Sequence, residues 1–329
     1  MRVQWAILGC GDIANKRVAP AINDQPDSDL IAFYSHSQAR AEEFAARHGA
    51  RRAYSDLEAL LEDPEVNAVY IASPPDLHCP QTVAAAEAGK QVLCEKPMAL
   101  NVEEGRRMIE ACAAHGVHLA IAYYRRWFPK ARRMKALLEA GALGTVLHGT
   151  IALVGTYRPT PDDPKYWRVQ MARAGGGNLM DTGSHRLDLL CYLLGPPESV
   201  AGFADRLVMD FEVPDTESLL IRMACGAHIV SRHSFATANF RDDFELFGTR
   251  GCLLATPFDG PRLTAILDGQ EQTFDLPPHP NVHYPLIDDF ARALVEGRAP
   301  EFDGLDGLQA TRIMSGCYES ARTGRVVRV

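Results

Sequence analysis

The 329-residue sequence contains no apolar run approaching the roughly 20 residues that a membrane-spanning helix needs, and no membrane partner is expected. It also lacks a basic block. Lys and Arg are scattered among acids and the net charge is −8, which leaves no face for a phosphate backbone and excludes nucleic acid as an expected partner. The opening MRVQWAILGCG has no basic start, long apolar stretch or small-residue cleavage site of the secretory kind. The eight cysteines, Cys10, Cys79, Cys94, Cys112, Cys191, Cys225, Cys252 and Cys317, include no CxxC pair. Neither a zinc site nor a redox pair is expected, and buried reduced thiols point to the cytoplasm.

What is present is enough for two cores. Domains peak near about 100 to 150 residues and split past about 300, so two domains are expected, residues 1–122 and 123–329. The first repeats a strand-then-helix rhythm. VQWAIL (3 to 8), DLIAFYS (29 to 35), NAVYIAS (67 to 73), KQVLCE (90 to 95) and VHLAIA (117 to 122) read as strands between helical stretches. Ser37 reads as the cap of a helix closed at Gly49, while Ser55 with Glu58 and Asn101 with Glu104 read as capping boxes. Apolar strands separated by helices imply parallel pairing with both faces covered, hence a doubly wound α/β domain. After residue 122 the rhythm changes. Helices are expected over about 128–140, 178–194, 284–296 and 305–322, with TVLHGTIALVG, TESLLIRM, AHIVSRHSF, DDFELFG and CLLAT as strands. Tight turns between consecutive strands favour an antiparallel sheet.

Gly9-Cys10-Gly11-Asp12-Ile13-Ala14 follows the first strand and opens the first helix, matching G-x-G-x-x-G/A. The first glycine allows a tight turn, the second lets backbone approach a pyrophosphate, and the third small residue lets helix and strand pack closely. Specificity is expected at the end of the second strand, where an acid would bind the ribose of NAD. Here Tyr34-Ser35-His36-Ser37 contains no acid. Ser35 can donate to a 2'-phosphate, and His36 and Arg40 can offer charge or donors, which favours NADP(H) over NAD(H). The expected cofactor-binding set also includes Ser73 at the end of NAVYIAS, Pro74 and His78 beyond it, and Glu95 with Lys96.

Glu95-Lys96-Pro97 follows a strand at the carboxyl edge, where open sheets bind ligands, and proline keeps Lys96 out of helical geometry. In Gly175-Gly176-Gly177-Asn178-Leu179-Met180-Asp181-Thr182-Gly183-Ser184-His185, a helix begun at Asn178 puts Asp181 and His185 one turn apart on one face, beside a flexible glycine run. Asp188, three residues on, either orients or solvates that face.

The GCGDIA turn, the EKP tripeptide and GGGNLMDTGSHRLD, in this order, resemble the Gfo/Idh/MocA oxidoreductase family over nearly the whole chain. The resemblance implies an N-terminal Rossmann domain and a C-terminal α/β domain on a large open, mainly antiparallel sheet, whose exposed face builds a homodimer or homotetramer. It places the family's catalytic residues on Lys96, Asp181 and His185. Similarity to NADP-dependent sugar-reducing members implies further cofactor contacts from Trp167-Arg168 and Tyr284. Tyr123-Tyr124-Arg125-Arg126 departs from the smaller polar residues of many members.

The function expected is hydride transfer between NADP(H) and a hydroxyl or carbonyl of a sugar, keto-sugar or cyclic polyol. His185 serves as general acid or base, Lys96 stabilises developing alkoxide, and Asp181 accepts a second hydroxyl and helps fix the histidine. No metal is expected: no cysteine, histidine and acid set has ligand-like spacing, and His115 and His118 read as structural. No tyrosine has lysine four residues on, which sets aside short-chain dehydrogenase chemistry. The alternatives are a non-catalytic NADP(H)-binding regulator and a nicotinamide-dependent glycosidase.

Overall fold

The computed structural model describes residues 2–329. The chain forms two compact units, one running to Tyr124 and including His279–Leu308, the other comprising Arg125–Pro278 and Gln309–Val329.

The first unit holds a six-stranded sheet of β1 (Val3–Leu8), β2 (Ser28–Tyr34), β3 (Arg52–Tyr54), β4 (Ala68–Ile71), β5 (Gln91–Cys94) and β6 (Leu119–Ile121). The order is β3-β2-β1-β4-β5-β6 and every pair is parallel. Apolar β1 and β4 are buried on both faces, as a sheet covered by crossover helices requires. The order reverses at β1, so the crevice between the ends of β1 and β4 is the place where such sheets take ligands. No apolar run in the sequence marks β3, whose three residues are all only half-buried.

Caps mark the helix starts. Ser37 accepts from the Arg40 amide, and Gly49, at φ 76°, closes the helix Gln38–His48. The helix Leu57–Leu61 is capped by Asp56 rather than Ser55, because the Asp56 carboxylate reaches the first-turn amides of Glu58 and Ala59 at 2.9 and 3.4 Å. Asn101 accepts from the Glu104 amide, but Glu104 returns its bond to Leu100 instead of Asn101.

The expected division at residue 122 is displaced by one long return. The segment His279–Leu308 belongs to the first unit, where Phe290 of the helix Tyr284–Glu296 packs 5.5 Å from Trp5 of β1. Asn281 also donates to the Arg17 carbonyl at 2.8 Å.

The second unit is built on nine strands: β7 (Val146–Thr156), β8 (Pro197–Asp205), β9 (Thr216–Met223), β10 (His228–Ser234), β11 (Ala236–Gly248), β12 (Gly251–Ala255), β13 (Arg262–Leu267), β14 (Gln270–Asp275) and β15 (Val327–Arg328). Their order is β14-β13-β12-β11-β7-β10-β9-β8-β15, antiparallel except for the β7 and β10 pair. Along β9, Glu217, Leu219, Ile221 and Met223 are buried while Ser218, Leu220 and Arg222 are exposed. One face therefore joins the core and the other is open. On that open face Leu220 lies directly opposite Val230, both exposed. Among the described residues no helix is long and apolar enough to cross a membrane.

The glycine run serves packing rather than flexibility. A Cβ on Gly176 would run into the Tyr318 hydroxyl, and one on Gly177 into the Pro214 carbonyl. The Gly177 amide donates to Tyr318 Oη at 3.2 Å, and Tyr318 in turn donates to Glu217 Oε1 at 3.3 Å. Burial pushes the Glu217 carboxyl up from 4.5 to about 8, against the pull of the Leu179 amide and the Tyr318 hydroxyl. Between those values the folded chain keeps a proton that the unfolded chain has released, so this group's contribution to stability falls as pH rises through that window. Thermal unfolding across pH 4.5 to 8 should show a decline that is smaller in Glu217→Gln than in the parent chain. Equal pH dependence in the two proteins would mean that Glu217 is ionised in the folded state.

Candidate active site

The parallel register levels four strand ends. Leu8 pairs with both Tyr34 and Ile71, and Ile71 pairs with Cys94. The residues that follow, Gly9, Ser35, Ala72 and Glu95, therefore emerge along one edge. Gly9 has φ 115°, and a Cβ there would stand 2.8 Å from the Ala72 carbonyl oxygen, so both backbone conformation and space demand glycine. The turn leads into a helix whose Asn15 amide bonds to the Gly11 carbonyl at 3.0 Å. At a helix start the first-turn amides, here those around Asp12 and Ile13, point along the axis toward whatever lies before the helix. A Cβ on Gly11 would meet nothing within 4 Å. Open space thus lies before the second glycine, and the turn fits a dinucleotide's pyrophosphate.

At the end of β2, Ser35 is buried, with Oγ accepting from the Ser37 amide at 3.3 Å, while His36 is exposed. Arg40 donates through Nε to the Cys10 carbonyl at 3.1 Å, lies over the Phe44 ring, and has Glu43 at 3.7 Å. Arg40 is thereby tied to the middle residue of the glycine turn. Asp12 is exposed and faces Lys16 at 3.4 Å. Half-buried Pro74 precedes the turn Pro75–Leu77, and Ser73 donates to Gln81 at 2.7 Å.

His78, an expected cofactor contact, has both ring nitrogens engaged with backbone carbonyls. Its Nε2 lies 2.9 Å from the Ser73 carbonyl and its Nδ1 2.8 Å from the Pro97 carbonyl, so the ring ties the loop after β4 to the loop after β5. Burial lowers its pKa, opposed by the two carbonyls, which favour the doubly protonated ring. Glu95 is buried and accepts from the Tyr70 hydroxyl at 2.8 Å, from His283 Nε2 at 3.1 Å and from the Lys96 amide at 3.1 Å. Burial alone would raise this carboxyl; His283, Lys96 and Tyr70 together hold it below the usual range. Lys96 is half-buried, and Tyr284 stacks on His279 with ring centres 4.9 Å apart.

The second unit gathers a different set. Arg168 Nη1 donates to Asp181 Oδ2 at 2.5 Å, and its guanidinium lies 5.2 Å from the Trp167 ring centre. Trp167, Arg168 and Asp181 thus form one connected group, with one Asp181 oxygen already engaged. The expected single helix from Asn178 carries a π-helical stretch, Leu179–Gly183, before the α-helix Ser184–Leu194. Its turn is wider than the α-turn assumed for the Asp181 and His185 pair. Ser184 Oγ satisfies the Asp181 carbonyl at 2.9 Å, and Asn178 anchors the start to the Ser234 carbonyl of β10 at 2.8 Å. His185 is 2% exposed.

Asp188 does not solvate this helix. It is fully buried and held by Arg126 through contacts of 2.6 and 2.9 Å. Arg125 grips Asp259 at 2.7 and 2.6 Å, and Arg186 grips Asp242 at 3.0 and 2.5 Å. Burial would raise the Asp259 carboxyl, yet Arg125 and Arg186 hold it far below the usual range. The unusual Tyr123–Arg126 segment therefore supplies partners for acids on distant elements. The sequence signal for these arginines was their run of charge beside apolar residues; nothing near them in sequence marked Asp242, Asp259, Tyr70 or His283 as partners.

Residues 3–123 match the oxidoreductase family with an NAD-binding Rossmann fold, and residues 131–254 match the Gfo/Idh/MocA C-terminal domain. The chain is 32% identical over 336 residues to a D-xylose 1-dehydrogenase (NADP(+)) of Haloferax volcanii, covering 99% of this chain and all of the relative. It is 28% identical over 331 residues to the 1,5-anhydro-D-fructose reductase of Ensifer adhaerens, covering 99% and 98%. A levoglucosan dehydrogenase solved with NADH and levoglucosan superposes with TM-score 0.91 at 25% identity, covering 100% of each chain. With the switch-point glycine turn and the nine-stranded sheet, these matches place the chain in the Gfo/Idh/MocA family of NAD(P)-dependent oxidoreductases. It is an enzyme of the dehydrogenase and reductase class.

The buried pair on the helix Ser184–Leu194 yields a stability test. Arg126→Ala alone should cost about 3–5 kcal/mol in denaturant unfolding, because the Asp188 carboxylate is left buried without its guanidinium. Replacing both, as Arg126→Met with Asp188→Leu, should recover much of that loss. Additive losses in the double variant would show that the pair is not the unit of stability.

Proposed function

We propose that this oxidoreductase uses NADP(H) in preference to NAD(H) and acts on a hydroxyl or carbonyl of a sugar or cyclic polyol. The observation that carries the cofactor preference is the end of β2. Ser35 and His36 supply no carboxylate there, and Arg40 is anchored by its bond to the Cys10 carbonyl beside the glycine turn. The relative from Haloferax volcanii is named for NADP(+), which supports the reading, while the solved levoglucosan dehydrogenase holds NADH. The sugar or polyol class rests on what those relatives are named for. The eight free thiols suit a reducing compartment such as the cytoplasm.

A bound nicotinamide supplies the hydride donor or acceptor. The chain's part is to hold the substrate and move a proton. Lys96 Nζ donates to the reacting oxygen and favours its alkoxide character. A ring nitrogen of His185 exchanges the hydroxyl proton, since an imidazole nitrogen can either accept or donate one. Asp181, with Arg168 on Oδ2, accepts a second hydroxyl of the substrate and so orients it. A second copy of the chain is the proposed partner, in a homodimer or homotetramer built on the open sheet face. Exposed Phe203, Leu220 and Val230 on that face support it.

A panel of sugars, inositols, keto-sugars and diols, followed through absorbance of reduced cofactor, tests the substrate class. On the best substrate, Lys96→Ala and His185→Ala should each lower turnover about 100-fold to 10,000-fold while cofactor affinity stays close to that of the parent. Near-normal turnover in His185→Ala would remove the acid or base role. Ser35→Asp should move preference toward NAD(H); titration of the parent chain showing equal or tighter NAD(H) binding would overturn the cofactor reading. Light scattering of the parent chain at micromolar concentration should give a dimer or tetramer mass, and Leu220→Glu should lower it; a monomer would exclude the proposed face.

A further inference from the structure

His283 lies far from Lys96 in sequence, yet both belong to the first unit, and their link is a single buried carboxylate. Glu95 Oε2 accepts from the Lys96 backbone amide at 3.1 Å, while Oε1 accepts from His283 Nε2 at 3.1 Å and from Tyr70 Oη at 2.8 Å. His283 is fully buried and its Nδ1 has no hydrogen-bond partner among the described residues, so Glu95 is the ring's one hydrogen-bonded side-chain partner. Tyr124 covers the ring, with centres 4.5 Å apart. The histidine's own amide bonds to Asn281 Oδ1 at 3.2 Å, which fixes the backbone from which the ring projects.

We propose that His283 is a positioning residue for Lys96: by donating to Glu95 it keeps that carboxylate ionised and oriented, and the carboxylate holds the Lys96 backbone and sets the field at its ammonium. The inference rests on the role given to Lys96 above.

A buried carboxylate is stable in the charged form only where donors surround it. Glu95 has three, from β4, from its own strand end and from the returning segment. Tyr70 is held strongly protonated by burial and by Glu95, so it donates at all working pH values but brings no charge. The other titratable groups acting in this cluster are Cys94, its thiol pushed up by burial and by Glu95, Tyr124, Lys96 and His78. Removing the His283 donor takes away the largest of the influences that offset burial at Glu95. The carboxyl's pKa then rises, and with it the pH below which the carboxylate is lost beside Lys96.

The test compares the parent chain with His283→Leu and His283→Gln, the latter able to donate through Nε2. The Glu95 carboxyl is followed by 13C NMR through a pH titration, which needs no substrate. Its midpoint should rise by about one pH unit in His283→Leu, the size of one hydrogen bond to a charged group, and return toward the parent in His283→Gln. With the best sugar of the panel, kcat should fall about tenfold to hundredfold in His283→Leu with KM little changed, because misplacement acts on the reacting geometry. The acidic limb of the pH profile should move up with the Glu95 midpoint. An unchanged midpoint and acidic limb in a folded His283→Leu would overturn the inference. Lys96→Ala is the control: if it turns over normally the reaction assignment fails, while the Glu95 titration still decides the role of His283.

Discussion

Level register among β1, β2, β4 and β5 is the constraint on which the first unit depends. These strands are apolar and covered on both faces, so a slip of one residue would exchange the side chains meeting each layer of helices. With the register fixed, four chain segments leave the sheet side by side. The glycine turn can then press against the Ala72 carbonyl, and a single imidazole, His78, can span from Ser73 to Pro97. The cofactor edge is thus a by-product of strand pairing, refined by short polar contacts between neighbouring loops.

The second unit places its candidate site residues by another means. The helix Ser184–Leu194 is buried almost all round and has no solvated side to set its rotation. Arg186 and Asp188 project from it into opposite-charge partners on other elements, Asp242 of β11 and Arg126. Such pairs gain little net stability over apolar replacements, but a rotated helix would leave two ions unpaired in the core. Orientation is enforced by the cost of the alternative. His185 sits between these two anchors in sequence and inherits their precision, while the wide turn before it is satisfied locally by Ser184.

The architecture and the glycine, lysine and histidine motifs were legible because each is a short-range pattern. The strand-to-helix alternation, the turn at Gly9 and the tripeptide at Glu95 need only neighbours. The remaining features depend on contacts distant in sequence or on elements too short to carry a pattern. β3, β13 and β14 are short and half-exposed, so they carry little periodic signal. Asp56 took the cap from Ser55 because two adjacent capping residues cannot be ranked without knowing where the chain turns. The return of His279–Leu308 to the first unit depends on Phe290 meeting Trp5, which no local pattern records. The pairings of Glu95 with His283 and of Asp188 with Arg126 are likewise long-range, and Asp188 looked as much a solvated residue as an anchor.

The borders of the nine-stranded sheet have a consequence for how it can grow. One border, β14, is the sequence QEQTFD, whose Gln270, Glu271 and Gln272 stand in water; the other, β15, is two residues long. A strand from a stray or partly unfolded chain would find a charged, polar rim on one side and almost no backbone to pair with on the other. An exposed, flat and apolar edge strand would be a template for added strands. Here charge at one border and brevity at the other disfavour added strands while the face stays available, so a wide exposed β-surface carries less hazard of polymerising through its edges.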